Sequence, residues 1–313
     1  MPKISVVMPV YNGEKYLRET MDSILNQTFT DFEFIILNDA SKDSTEEIIK
    51  SYEDERIVYL KNEQNLGVAG TLNRGLEKAK GEYIARIDAD DIAMPERFET
   101  QVAFMDAHPE IGLCGSCVRL FEEDGLERDF TYSETDDQIR VDMLFNCAFA
   151  HPSIILRKSV LDENNLFYNV QYEKAEDYRM WYDMMKMSKG YNLRKPLIRY
   201  RHHAGQVTKV NAKEQKIVVT AMRKVMYDTL NLGTDDYLEV FSQICNGVRE
   251  FNEEEYAKIR EWMKKSLSCD NEYHKGILKK NLAIINYNIR KNSKISNYKP
   301  LTIKEYLYIL RGI

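Results

Sequence analysis

Four apolar runs alternate with amphipathic stretches over the first 90 residues, and this alternation constrains the fold more than any other feature. Residues 4–10 read as a buried strand. Residues 14–27 read as a helix, with Leu17, Met21, Ile24 and Leu25 at spacings of three and four. A second strand covers 32–37. Ser44, with Glu47 three residues on, has the form of a capping box for a helix over 45–52. A strand over 56–62, a helix over 68–80 closed by Gly81, and a strand over 83–87 complete the series. This order predicts an α/β domain with a mostly parallel sheet. Ligands of such sheets sit beyond the carboxyl ends of the strands. Asn38-Asp39 and Asp88-Ala89-Asp90-Asp91 both fall at such ends, within reach of one ligand.

Beyond Pro95 the periodicity loosens. Helices are expected over 96–108, 136–146 and 175–188, strands over 112–121 and 153–156, a turn at Glu123-Asp124-Gly125, and an extended segment over 193–203. From residue 213 onward the pattern is helical only: 213–232, 235–246, 253–267, 275–291 and 302–311. A domain boundary is placed near Thr208, giving 1–208 and a helical region over 209–313.

Composition excludes several classes. The longest uncharged stretch, residues 143–156, is too short to span a membrane and contains Asn146, His151 and Pro152. Met1-Pro2-Lys3 leads straight into a strand, so no secretory leader is expected. Five cysteines do not suggest a disulfide framework in a chain of 313 residues, and a cytoplasmic location is expected. The net charge of −6 is uneven: residues 274–313 hold nine basic side chains against Glu305 alone, a net +8, and the remainder carries −14. An acidic body argues against nucleic-acid binding, whereas the basic end suits an anionic surface.

Three carboxylates in four positions, Asp88, Asp90 and Asp91, repel one another. A site that keeps them ionised usually holds a cation, and oxygen ligands select Mg²⁺ or Mn²⁺. The same residues also suit a solvated acidic turn before Pro95. Asp39 fits either a cap for the next helix or an acceptor for a base or ribose. Asp177 is a candidate general base, and the adjacent Glu176 is turned about 100° from it around a helix, so only one of the two points squarely into a given cleft. His202 and His203 follow Arg199-Tyr200-Arg201, a basic cluster suited either to a diphosphate or to plain exposure. His151 suits capping or packing. Cys114-Gly115-Ser116-Cys117 lies within a predicted strand without a second pair, which favours core packing over zinc. Neither a dinucleotide fingerprint nor a P-loop is present.

The ordered set resembles glycosyltransferase family 2, inverting enzymes of the GT-A fold. It runs from Val7-Met8-Pro9-Val10-Tyr11-Asn12 through Asn38-Asp39-Ala40-Ser41-Lys42-Asp43, Asn65-Leu66-Gly67 with Asn73, Lys80-Gly81-Glu82-Tyr83-Ile84-Ala85-Arg86 and Asp88-Ala89-Asp90-Asp91. It continues through Met94-Pro95-Glu96-Arg97-Phe98 with Gln101, His151-Pro152-Ser153, Glu176-Asp177 with Trp181, and Tyr200-Arg201 with His203, Gln206 and Thr208. The resemblance implies a nucleotide-sugar donor, a UDP-sugar, bound by the half over 1–91, with the acceptor and catalysis in 92–208. It implies Tyr11 and Asp39 at base and ribose, with Asn65, Gly67 and Asn73 lining the same pocket. It places Asp88 near the ribose, and Asp90, supported by Asp91 and His203, on Mn²⁺ or Mg²⁺. Asp177 matches the family's base. The family usually has glycine where this chain has Ala40, a change that matters only if the position needs a positive φ. The implied acceptor is a glycan or lipid-linked glycan of a cell-surface polysaccharide, met at the membrane face by the basic tail. A nucleotidyltransferase of related fold and a catalytically silent scaffold subunit are the alternatives.

Overall fold

The computed structural model describes residues 1–122, 125–203, 212–229, 252, 254, 255, 257–259 and 261. Strands β1 (Ile4–Val10), β2 (Phe32–Asn38), β3 (Ile57–Lys61) and β4 (Tyr83–Arg86) are mutually parallel. They carry helices α1 (Leu17–Leu25), α2 (Thr45–Lys50) and α3 (Gly67–Lys78) between them. Then follow β5 (Ile92–Ala93), α4 (Arg97–Ala107), β6 (Ile111–Glu122), β7 (Glu127–Phe130), α5 (Asp136–Asp142), β8 (Ile155–Arg157), α6 (Lys158–Asn164), α7 (Glu176–Met187), β9 (Lys189–His202) and α8 (Ala212–Thr229). One sheet results, in the order β3-β2-β1-β4-β8-β6-β9-β5, with β7 paired to β6. β8 is antiparallel to β4 and β6, whereas β6 and β9 are parallel. This is the α/β arrangement expected from the alternation.

Side chains along a strand alternate between faces, so each buried strand feeds two cores. Ile4, Val6, Met8 and Val10 join Phe34 and Ile36 against Leu17, Met21 and Ile24 of α1 and Phe98, Val102 and Met105 of α4. Val7, Ile35 and Leu37 face the other way, where α3 brings the buried Leu72 and Leu76. Cys114 and Cys117 are buried in β6 as free thiols, the packing role expected of them. Arg97 lies fully buried in α4 and donates from Nη2 to Arg86 O and Ile154 O, while Gln101 donates to Ser153 O. These two motif residues therefore brace the sheet below the carboxyl end of β4.

Several local expectations are corrected. Ser44 makes no side-chain cap; Asp43 Oδ1 accepts from Thr45 N at 3.1 Å instead, and Ser44 N donates to Glu14. Gly81 does not cap α3, which ends at Ala79 in extended geometry. Its missing side chain serves close approach, since a Cβ there would lie 2.5 Å from Ser5 N. The helix expected over 136–146 ends at Asp142. β5, β7 and α6 were not anticipated.

The chain divides into two compact units, residues 1–136 with 147–215 and residues 137–146 with 216–313. In the second, Arg223 of α8 donates to Phe145 O at 2.6 Å. The expected turn at Glu123-Asp124 and the helices over 235–246, 275–291 and 302–311 lie outside the described residues, as does most of 253–267. Among the described residues, no helix is long and apolar enough to cross a membrane.

Candidate active site

The carboxyl ends of β1, β2 and β4 open onto a cleft of about 740 Å³. Val10 is followed by Tyr11, half exposed in the cleft wall, and by Asn12, whose left-handed φ of 51° turns the chain. Asn12 clamps the next loop, donating from its backbone N to Ser41 Oγ and accepting from Lys42 N.

Asp39 follows β2 and is 4% exposed. It does not cap the helix that follows it. Its Oδ1 accepts from Asn62 Nδ2 at 2.7 Å and Leu66 N at 2.8 Å, and its Oδ2 from Gly67 N at 3.1 Å, so it caps α3, one helix further on. Asn65 Oδ1 also accepts from Gly67 N. Asp39, Asn65 and Gly67 all line the cleft, with Thr71 beside them. Asn73 does not. Its side chain is engaged with the backbone of Tyr168, which corrects the expectation that it faces the pocket.

The acidic cluster follows β4. Asp88, Asp90 and Asp91 each present an oxygen within 4.8 Å of the others. Asp88 pairs with the buried Arg86, two residues before it. Asp90 Oδ2 lies 2.9 Å from His203 Nε2 at the end of β9. Asp91 is 1% exposed; its Oδ1 accepts from Arg201 N, and its Oδ2 is buried without a partner. Burial raises the Asp88 carboxyl, and burial together with the Asp90 and Asp88 charges raises Asp91 further. Three crowded hard oxygen donors, one with an orphaned buried atom, fit a divalent cation. His202 turns away from the cluster to Glu122. Of the two histidines, His203, just past β9, is the one beside the cluster.

Arg201 binds the cluster to the rest of the wall. It donates from Nε to Asp90 O and from Nη2 to Glu19, and its guanidinium lies 4.3 Å from the Tyr16 ring and 4.6 Å from the Phe121 ring. It thus braces the backbone of the loop rather than facing a ligand.

α7 begins with Glu176 and Asp177. Glu176 lines the cleft, is 8% exposed and leaves Oε2 buried without a partner. Burial, with the Asp177 charge, pushes its carboxyl up to about 7. Asp177 accepts from Tyr178 N at 2.7 Å and lies 3.7 Å from Cys147 Sγ; burial raises it too. Its charge adds a smaller upward push on the Asp88 carboxyl, after burial and the Asp90 charge. His151 is packed as expected, between Tyr168 and Trp181, and burial holds its imidazole well below the usual range. Lys15, Tyr16, Glu173 and Lys174 complete the lining and were not singled out from the sequence. Lys15 and Tyr16 lie just before α1, and Glu173 and Lys174 just before α7, so only their place in space identifies them.

The family model described as Glycosyl transferase family 2 matches residues 5–165. An uncharacterized glycosyltransferase of Haemophilus influenzae is 31% identical over 93% of this chain and 97% of its own length. The amylovoran biosynthesis glycosyltransferase AmsE of Erwinia amylovora is 31% identical over 58% of this chain and 70% of its own. Among solved structures, S. aureus TarS (residues 1–349, in complex with UDP) superposes with a TM-score of 0.58 at 19% identity, covering 99% of this chain and 90% of that one. The mannosyltransferase PcManGT of Pyrobaculum calidifontis, in complex with GDP-Man and Mn²⁺, does so with a TM-score of 0.57 at 15% identity, covering 99% and 86%. The GT-A fold is common to them.

Proposed function

The chain belongs to glycosyl transferase family 2, and from that premise we propose that it transfers a sugar from a UDP-sugar to a hydroxyl of a glycan or lipid-linked glycan, with inversion. The carrying observation is that one cleft is lined by Tyr11, Asp39, Asn65, Gly67, Asp88, Asp90 and His203, residues drawn from both ends of the domain. The ligands named for TarS and PcManGT, UDP and GDP-Man with Mn²⁺, support a nucleotide in this place. The amylovoran role named for AmsE supports a polysaccharide acceptor.

Tyr11 and Asp39 would meet the base and ribose, with Asn65 and Gly67 beside them and Asp88 at the ribose. Asp90, Asp91 and His203 would hold Mn²⁺ or Mg²⁺. Such an ion supplies Lewis-acid neutralisation of charge on a departing nucleoside diphosphate. Asp177 would take the proton of the acceptor hydroxyl. Its burial favours that role, because a base works best when its pKa approaches the operating pH.

Thermal shift with a panel of nucleoside diphosphates, with and without Mn²⁺, tests the donor site. The expected result is a metal-dependent rise with UDP that Asp90→Ala abolishes. A rise with GDP alone would reassign the donor, and no rise with any nucleotide would overturn the site. Asp177→Asn should lower turnover by about 10²–10⁴-fold and leave nucleotide affinity unchanged.

A further inference from the structure

Asn73 sits midway along α3 with both polar ends of its side chain on one distant residue. Its Nδ2 donates to Tyr168 O at 2.8 Å, and its Oδ1 accepts from Tyr168 N at 2.8 Å. An amide side chain used in this way replaces a neighbouring strand for a backbone that has none. We propose that Asn73 is a positioning residue that holds residues 165–176 as one wall of the cleft and fixes the start of the helix carrying Asp177.

Three observations carry this assignment. First, the segment has little structure of its own: a single turn over Val170–Tyr172, and left-handed backbone at Asn165 and Lys174. It therefore depends on grips from outside. Second, it touches α3 again at Gly67, where a Cβ would lie 2.5 Å from Glu173 Oε1 and where φ is +73°. Gly67 and Asn73 stand six residues apart, about 9 Å along the helix, so the segment is bonded to α3 at one point and packs closely against it at a second. Third, the gripped residue leads to α7. Tyr168 is 2% exposed, its Oη lies 3.1 Å from His151 Nε2, and its ring packs on Trp181 of α7. The wall so held contributes Glu173, Lys174 and Glu176 to the cleft.

The inference rests on reading the cleft as the donor site, and its test separates the two. Backbone hydrogen exchange and titration with UDP and GDP, each with MnCl₂, are compared between the full-length wild type and Asn73→Ala. Truncation leaves two backbone groups of Tyr168 without partners. Exchange over 165–176 should rise about tenfold while β1 stays unchanged, and nucleotide Kd should rise by about the same factor. Asn73→Asp keeps the acceptor for Tyr168 N but sets a carboxylate against Tyr168 O, and should not rescue. Val102→Ala, a core truncation in α4, lowers Tm without the local change. Exchange over 165–176 that stays unchanged, or that rises equally everywhere, would overturn the proposal. If the wild type binds neither nucleotide while Asn73→Ala still loosens 165–176, the positioning role stands and the donor reading falls.

Discussion

At the residue scale, Ala40 shows how a single methyl tests a backbone. It follows Asp39 with φ of +59°, a conformation that costs an L-residue roughly 1–2 kcal/mol through its Cβ. The resemblance left open whether this position needs a positive φ; it does. The strain persists because the flanking hydrogen bonds fix the loop, with Asp39 N donating to Val10 O at 2.8 Å and Ser41 N to Asn38 Oδ1 at 2.9 Å. Ala40→Gly relieves the clash, while the freer unfolded chain takes back about 0.5–1 kcal/mol. A net gain of about 0.5–1 kcal/mol is expected in urea denaturation. A loss would show that packing of the buried methyl outweighs the strain. Asp39 itself illustrates what one sequence hides. Its place after an apolar strand is plain, but its partners Asn62 and Leu66 lie 23 and 27 residues away, and nothing local announces them.

At the scale of elements, the start of α7 sets a pH dependence. Glu176 has its carboxyl raised from 4.5 to about 7, so between those values the native state binds more protons than the unfolded one. Stability then falls as pH rises through this window and levels off above it. The raised carboxyls of Asp88, Asp91 and Asp177 act with the same sign. Glu176→Gln should therefore flatten, without abolishing, the fall in Tm between pH 5 and 8, measured in EDTA. An unchanged slope would mean that Glu176 is already ionised and solvated in the native state. The same elements mark what was legible. β1, β2 and β4 are buried on both faces and read as continuous apolar runs. β7 is exposed throughout and β5 has two residues, so neither carries a period. The cluster at Asp88 was legible because its three carboxylates fall within four positions of the sequence. The grip of Asn73 on Tyr168 spans 95 residues and was not.

At the scale of the whole molecule, the charge is segregated along the chain: −14 over residues 1–273 against +8 over 274–313. An acceptor carried on a lipid would be met at an anionic surface, and the two ends of this chain respond to such a surface oppositely. The acidic part is repelled. Each Lys or Arg near the surface gains about 1 kcal/mol, so even a few of the nine engaged together outweigh that repulsion. The gain decays over a Debye length of about 8 Å at physiological salt and about 3 Å at 1 M. Full-length protein should co-sediment with phosphatidylglycerol vesicles at low salt, dissociate at 1 M NaCl, and ignore phosphatidylcholine. Replacing Lys279, Lys280, Arg290 and Lys291 with glutamine removes four of the eight net charges and should cost most of the binding, while nucleotide affinity stays as it was. Equal binding to neutral vesicles would point to apolar insertion by residues such as Ile284, Ile285 and Leu307 instead. No binding to either would leave the basic residues as a solvating surface, and the acceptor would then have to reach the cleft without help from the tail.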